Sequence, residues 1–222
     1  MKYPIAIIFN DVHLQDGNEE AVLSSIKHMI QIANEKNIKR LLFAGDLFDS
    51  RSFQRQSVLL TLDKMLNLFN ENGIYVDFIP GNHDKTIYAS HDSFLDTFRH
   101  YPKFKLHSKM TVIAIDDVEI TMLPFFSDDM LIPMLEKADG TDVLISHFEM
   151  AGSTNLGKTS EKTSINKTLL KKWSKVYLGH YHNWHEISED IVHLPSLRQK
   201  DFGEDPNKGF SILYDDLSYE II

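Results

Sequence analysis

The chain has 222 residues, enough for one well-filled hydrophobic core, and we expect residues 1–222 to form a single domain. Its formal charge of -9 argues against tight non-specific binding of nucleic acid over the whole surface, and the absence of cysteine excludes disulfides and thiolate chemistry. No apolar run approaches the roughly 20 residues that cross a bilayer, and the first residues lack the features of a signal peptide, so we expect an intracellular, cytoplasmic protein without a membrane partner.

The first half of the chain alternates short apolar runs with longer amphipathic segments. The runs IAIIF, RLLFAG and YVDFIP predict buried strands over residues 5–9, 40–45 and 75–80. Apolar residues at helical spacing predict one helix that starts at Asn18 as its N-cap and reaches about residue 37, and another over about residues 53–72. This βαβαβ order predicts a parallel sheet covered by helices.

The second half is richer in strands. Runs such as DVLISH and KVYLGH predict buried strands, and segments 111–116 with 118–125 and 210–214 with 218–222 predict hairpins across short acidic turns. The chain therefore changes from an α/β pattern to a mixed or antiparallel sheet.

Polar side chains follow five of the predicted strands, at the point where each strand ends. Because the carboxyl ends of parallel strands line one edge of a sheet, we expect these side chains to gather there. They are Asp11, His13, Asp46, Asn82, His147, His180 and His182.

The chemistry of this set is that of a metal centre. Imidazole, carboxylate and amide oxygen are ligands for Mn, Fe, Zn and similar divalent ions. Seven such residues are too many for one tetrahedral ion but suit two ions that share a carboxylate and activate water for attack at phosphorus. Gly45, Gly81 and Gly179 directly precede candidate ligands, where a sharp turn or a close approach of backbone is needed.

The blocks DVH, GD, GNHD, SH and GHYH stand in the order found in the calcineurin-like metallophosphoesterases, which the chain resembles over residues 1–182. The resemblance implies a four-layer α/β/β/α sandwich with two mixed central sheets. It assigns one metal to Asp11, His13, Asp46 and His182, and a second metal to the bridging Asp46 with Asn82, His147 and His180. It also implies that His83 stabilises the transition state or protonates the leaving group, and that Asp84 orients His83.

A narrower resemblance concerns GDLFDS and the segment LPSLRQKDFGEDPNKGFSILYDD, which are similar to the Mre11/SbcD branch of DNA-repair nucleases and its phage relatives. This implies two divalent ions, Mn²⁺ foremost, with Fe, Zn, Mg or Ni as alternatives. In that branch the region of residues 52–72 pairs two subunits, so a homodimer is one interpretation and a helix that covers its own sheet is the other. Pro195 replaces the usual glycine, and the sequence stops at Ile222 without the capping domain and ATPase-binding segment of full-length members. An SbcC/Rad50-type ATPase partner therefore stays open.

Six lysines against one acid, Glu161, lie between residues 157 and 175. The spacing of Lys167, Lys171 and Lys175 predicts one row on a helix, with a basic loop before it. The candidate DNA-binding residues are Lys158, Lys162, Lys167 and Lys171, and the alternative is a solvated helix face. His185, beyond the GHYH block, is expected to face solvent or substrate instead of a metal.

These patterns predict a metal-dependent phosphoesterase, foremost a phosphodiesterase or nuclease that acts on DNA, and they leave endonuclease and exonuclease action both open. One alternative is a phosphomonoesterase or a small-nucleotide phosphodiesterase. The alternative from another class is a non-catalytic binding protein that keeps its metals as structure.

Overall fold

The computed structural model describes residues 2–155, 158–159 and 163–222. The first of its two six-stranded sheets contains, numbered along the chain, β1 (Pro4–Phe9), β2 (Arg40–Ala44), β3 (Tyr75–Ile79), β4 (Phe104–Leu106), β13 (Ser211–Tyr214) and β14 (Tyr219–Ile221). The strand order is β14-β13-β1-β2-β3-β4. Strands β1 to β4 are parallel neighbours, and β13 and β14 add antiparallel pairs at one edge.

The second sheet contains β5 (Thr111–Ile115), β6 (Val118–Leu123), β7 (Val143–His147), β10 (Lys175–Gly179), β11 (His185–Ser188) and β12 (Ile191–His193). Its strand order is β11-β12-β10-β7-β6-β5. The four inner strands are parallel, and the edge strands β5 and β11 are antiparallel to their neighbours. A small hairpin pairs β8 (Thr154–Asn155) with β9 (Lys158–Thr159).

Helices cover the outer face of each sheet. They are α1 (Glu19–Glu35), α2 (Gln56–Glu71), α3 (Asp128–Lys137), α4 (Lys167–Leu170) and a 3-10 turn over Phe94–Phe98. In β1, Ile7 and Phe9 pack towards α1 and α2, whereas Ala6 and Ile8 pack towards the second sheet. A third apolar cluster joins the second sheet to α3 and α4. The layers are therefore α/β/β/α, and the four-layer prediction is confirmed. None of the helices in the described part of the chain has the length and apolar character of a membrane span.

The first two helices lie where the sequence predicts them, with local differences. Asn18 precedes α1 but its side chain does not cap it: the amide donates to the His13 carbonyl and accepts from Gln15, which fixes the loop after β1. The second helix starts at Gln56, later than predicted, because Arg55 is extended. Its apolar face, including Leu62 and Met65, packs on its own sheet.

The predicted lysine row is wrong. Helix α4 ends at Leu170, and Lys175 is the first residue of β10. Trp173 turns into the apolar cluster, and the Lys172 ammonium donates to carbonyls of Leu135, Glu136 and Ala138 at the end of α3. A cation is favourable at a helix C-terminus, so this contact and the burial of Trp173 outweigh the local helical spacing.

Candidate metal centre

The predicted ligands do meet, but between two sheets and not along one edge. Strands β1, β2 and β3 of the first sheet lead into loops that carry Asp11 and His13, Asp46, and Asn82. Strands β7 and β10 of the second sheet lead to the remaining ligands, His147, His180 and His182. The His147 Nδ1 donates to the Ala44 carbonyl across the interface at 2.8 Å. The centre thus lies where the carboxyl ends of the parallel strands of both sheets come together.

One group of donor atoms, which we call the first half-site, consists of Asp11, His13 and His182 with Asp46. The Nε2 atoms of His13 and His182 are 3.0 Å apart. Asp11 Oδ1 lies 3.7 Å from the first of these nitrogens and 3.8 Å from the second. Ligand atoms around an ion at about 2.0–2.2 Å are roughly 3–3.5 Å apart, so this spacing is close to that of a coordination shell.

The second half-site consists of Asn82, His147 and His180 with Asp46. Asn82 Oδ1 lies 3.1 Å from His147 Nε2 and 3.0 Å from His180 Nδ1. Asp46 Oδ2 lies 3.2 Å from His147 Nε2 and 3.9 Å from His13 Nε2 in the first half-site. The same carboxylate oxygen therefore faces both groups, while Asp46 Oδ1 accepts from the His83 backbone N–H at 2.8 Å.

Hydrogen bonds orient these donors towards the space between them. Asp11 Oδ2 accepts from the Asn10 amide at 2.6 Å and from the His180 backbone N–H at 3.0 Å. Asp11 Oδ1 is buried and has no hydrogen-bond donor among the described residues. The Nδ1 of His147 is engaged as a donor to Ala44, which leaves its Nε2 lone pair for the centre. An orphaned carboxylate oxygen and converging imidazole nitrogens fit a divalent cation.

The protonation states lead to the same conclusion. Burial alone would lower the pKa of His13, but contacts with Asp11 and Asp49 raise it to about 9. Burial would also lower the pKa of His147, but the charges of Asp46 and Asp11 outweigh burial and raise that pKa to about 9. Although burial favours their neutral forms, these imidazoles hold the pKa of both Asp11 and Asp46 below the usual range. The buried carboxylates attract positive charge into the centre, which protons supply here and metal ions would supply more fully.

The backbone is strained where the ligands attach. Asp11, His13, Asp46 and His180 have φ values of 49°, 45°, 62° and 85°, in the left-handed region that non-glycine residues rarely adopt. The glycine prediction is confirmed, since a Cβ on Gly81 would lie 2.2 Å from Asp46 Oδ1. A Cβ on Gly45 would lie 2.5 Å from His147 Nδ1. Close backbone approach at these positions lets the two sheets bring their ligands together.

His83 lies beside the centre, but Asp84 does not orient it. His83 Nε2 is 4.0 Å from the shared Asp46 Oδ2, and its Nδ1 donates to the Asp49 carbonyl at 2.5 Å. The Asp84 carboxylate instead accepts four backbone N–H groups, those of Asp46, Leu47, Phe48 and Gly81. The predicted orienting contact is therefore wrong, because the buried Asp84 serves to tie the loop after β2 to the loop after β3.

Two acidic residues that are not among the predicted ligands lie behind the first half-site. The sequence leaves Asp49 open between a group that supports a ligand and a polar turn residue, and it assigns no role to Glu204. Glu204 Oε1 accepts from His182 Nδ1 at 2.5 Å, and Asp49 Oδ1 lies 3.5 Å from His13 Nδ1. Lys200 pairs with Asp49 at 2.6 Å, which joins the C-terminal loop to the loop after β2. The sequence signal for Glu204 is the FGE block of the narrower resemblance, whereas Asp49 looks like an ordinary polar turn residue.

The lysine candidates do not form a basic path in the described residues. Lys167 donates to the Ile187 carbonyl at 2.8 Å, and Lys171 is exposed just after α4. Lys158 lies in β9, and Lys162 lies outside the described residues. His185 lies in the edge strand β11, apart from the two half-sites.

Comparison with known proteins places these observations in a family. The sequence matches the family described as calcineurin-like phosphoesterase over residues 6–205. It is 24% identical over 171 residues to exonuclease subunit 1 of phage T4, and 22% identical over 204 residues to the SbcD component of the nuclease SbcCD from Staphylococcus saprophyticus. These matches cover 75% and 78% of this chain but 50% and 54% of those proteins, so the chain spans about half the length of the curated relatives it matches.

Among solved structures, a dimetal phosphatase from Danio rerio aligns with a TM-score of 0.57, over 96% of this chain and 94% of that one. At 11% identity this likeness shows the fold alone. The resemblance to the SbcD nuclease branch is confirmed as a weak homology by the two curated relatives. The family match over most of the sequence, and a His/Asp cluster compatible with two metals, together show that the chain belongs to the calcineurin-like phosphoesterases, a family of dimetal-dependent enzymes.

Proposed function

We propose that residues 1–222 form a single domain that hydrolyses phosphodiester bonds in DNA, with two divalent ions, Mn²⁺ foremost, held by the two half-sites. The observation that carries this proposal is the shared carboxylate. Asp46 Oδ2 lies within 3.2 Å of a nitrogen in one group and 3.9 Å of a nitrogen in the other. A dinuclear centre of this kind suits in-line displacement at phosphorus.

The ions, when bound, would supply Lewis acidity and lower the pKa of a water molecule. The residues of the chain would hold these ions and transfer a proton to the leaving oxygen. In hydrolysis a water oxygen bonds to phosphorus, one ester P–O bond breaks, and one proton of the water ends on the leaving oxygen. His83 Nε2 is the ring nitrogen that faces the centre, since Nδ1 is engaged by Asp49, so we assign that proton transfer to His83 Nε2.

The choice of DNA as substrate is supported by the curated relatives, which are named as an exonuclease subunit and a nuclease subunit. Basic side chains near the centre are compatible with a phosphodiester. Arg51 contacts His83 on one side, and Arg198 and Lys200 line a groove with Asp11 and His13 on the other. A homodimer and an SbcC/Rad50-type ATPase partner remain predictions.

A substrate panel tests the function. With Mn²⁺ added after chelator treatment, we expect cleavage of single- or double-stranded DNA and of bis-p-nitrophenyl phosphate, and little hydrolysis of p-nitrophenyl phosphate. Activity confined to the monoester would replace the proposal by a phosphomonoesterase. Bound metal without hydrolysis of any of these esters would favour a non-catalytic binding protein.

A role for the lysines in holding DNA is tested by salt dependence. If they contact phosphates, each lost contact should make the plot of the logarithm of DNA affinity against the logarithm of salt concentration less steep, by about 0.7–0.9 in slope. Hydrolysis of bis-p-nitrophenyl phosphate should be unchanged. The residues to reverse together are Lys158, Lys162, Lys167 and Lys171. An unchanged slope for DNA would show that this surface is only solvated.

A further inference from the structure

Arg51 joins the proposed proton-transfer residue to an aromatic side chain. Its Nη2 donates to His83 Nε2 at 2.8 Å, and its Nη1 donates to the Tyr88 hydroxyl at 2.6 Å. The guanidinium carbon lies 5.9 Å from the centre of the Tyr88 ring. The nitrogen of His83 that faces the centre is therefore occupied by an exposed cation, although a neutral imidazole is a weak partner for a guanidinium compared with a phosphate.

Arg51 and Tyr88 line a groove of about 270 Å³ that opens onto the second half-site and is called the Tyr88 groove here. Asn82 and His180 line its inner end, and the rings of Tyr88 and Phe125 meet edge to face with centroids 5.0 Å apart. Arg51 is the only arginine or lysine among the described residues that line it. Two lining acids already have donors: Asp128 accepts from Thr163, and Glu149 accepts from Tyr181.

The groove on the other side of the centre has a different chemistry. It has a volume of about 210 Å³ and is lined by Asp11 and His13 together with Arg198, Gln199 and Lys200, with no Phe, Tyr or Trp among its described residues. A phosphodiester that lies across Asp46 would place its two ester groups in two unlike grooves. Arg51, which donates to His83, lines the aromatic groove, whereas neither Arg51 nor His83 lines the polar groove.

We propose that the Tyr88 groove binds the group that leaves phosphorus, a nucleoside in DNA, and that Arg51 binds a phosphoryl oxygen in exchange for His83. This assignment rests on the proposed function, in which His83 passes a proton to the leaving oxygen. Transfer of the guanidinium to the phosphate frees the lone pair of His83 Nε2. This nitrogen can then take up, through solvent, the proton that the attacking water releases and pass it to the ester oxygen that departs. The base of the leaving nucleoside then packs against Tyr88 and Phe125, since stacking on aromatic rings accepts any base.

Two substrates with the same leaving group distinguish a Tyr88 groove that binds the leaving group from one that binds the group retained on phosphorus. In bis-p-nitrophenyl phosphate both ester groups are aromatic, whereas in methyl p-nitrophenyl phosphate only the leaving group is. Tyr88→Ala should raise KM about tenfold for both substrates. Arg51→Ala should lower kcat/KM by about 10²-fold, and Arg51→Lys should restore part of the loss. Arg55→Ala, in the same loop but paired with Asp16, is the matched control and should behave as wild type.

An unchanged KM of Tyr88→Ala for the methyl ester, with a raised KM for the bis-aryl ester, would overturn the assignment, because the groove would then hold the retained group. Unchanged kcat/KM of Arg51→Ala would also overturn it. Thermal unfolding and metal content of each variant should match wild type, and Tyr88→Phe, which keeps the ring, should keep the wild-type KM within about twofold. Wild type inactive on both esters and on DNA would instead refute the proposed function itself.

Discussion

The two half-sites differ in what supports their imidazoles. In the first half-site, His182 donates to the Glu204 carboxylate at 2.5 Å and His13 has the Asp49 carboxylate 3.5 Å away. In the second, His147 donates to a neutral group, the Ala44 carbonyl, at 2.8 Å. A carboxylate behind an imidazole increases its basicity as a ligand more than a carbonyl does. We therefore expect the first half-site to bind its ion more tightly.

The groups that accept hydrogen bonds from these imidazoles also differ in how firmly the fold holds them. Ala44 is the last residue of a fully buried inner strand, so the second half-site is attached to the sheet itself. Glu204 lies in the loop between β12 and β13, where Lys208 pairs with it at 3.1 Å. We therefore expect the first half-site to gain affinity from a charge on a loop, and the second half-site to gain a fixed position from the sheet.

Removing the shared charge should weaken both half-sites. Asp46→Asn removes the carboxylate that faces both groups, so both affinities should fall, and activity should fall by more than the roughly 10–100-fold that loss of a supporting hydrogen bond costs. Metal content by mass spectrometry and hydrolysis of bis-p-nitrophenyl phosphate measure this. Asp16→Asn, at an exposed ion pair with Arg55, is the control. Unchanged metal content and activity in Asp46→Asn would refute the two-metal centre.

His83 lies outside both half-sites, so its loss should leave them as they are. His83→Ala should keep both metals and lower kcat by about 10²–10⁴-fold, the usual contribution of general acid–base help. The loss should be smaller for esters with better leaving groups, because those need less protonation. Loss of bound metal in His83→Ala would contradict the proton-transfer role.

Glu204→Gln should separate the two half-sites. The amide can still accept from His182 but carries no charge, so one of two Mn²⁺ dissociation constants should rise about 10–100-fold while the other stays unchanged. Calorimetric titration of metal-free protein measures both. Glu220→Gln, in the remote edge strand β14, is the matched control. Equal changes in both dissociation constants would contradict the expected difference in metal affinity between the two half-sites.

The smallest effect concerns His193, which supports the second half-site from behind. Its Nδ1 donates to the Gly179 carbonyl, next to His180, at 3.0 Å. Burial lowers the pKa of His193 to about 3, although that hydrogen bond opposes the shift. Between about pH 6.5 and pH 3 the unfolded chain binds a proton that the folded chain does not, so the folded state loses stability as pH falls.

Metal-free wild type should therefore lose up to about 1.4 kcal/mol of unfolding free energy per pH unit more than His193→Asn does below pH 6.5. Urea unfolding from about pH 7 to about pH 5 in the presence of chelator measures the two slopes. Parallel slopes for the two proteins would show that His193 is protonated in the folded state.

The gathering of the candidate ligands could be predicted because each lies at or soon after the end of an apolar strand, and strand ends determine where such residues lie. Orientation could not be predicted in the same way. The family resemblance implies that Asp84 orients His83, yet His83 Nδ1 donates to the Asp49 carbonyl from another loop. Likewise, lysine spacing predicts a helix through Lys175, but Trp173 and Lys172 have partners in a different part of the fold. Local patterns identify residue types and strand ends, whereas contacts distant in sequence fix the hydrogen bonds.

The position of the centre between two sheets has a consequence for the synthesis of the protein. Asp11 and His180 meet at 3.0 Å although 169 positions separate them, and Glu204 comes later still. At about 5–20 residues per second, translation needs roughly 10–30 s to pass from the first ligand to the last. A nascent chain therefore lacks a complete half-site until the ribosome has passed His180. During that interval the phosphate esters around the ribosome, those of the message included, meet a chain that has no assembled catalytic centre.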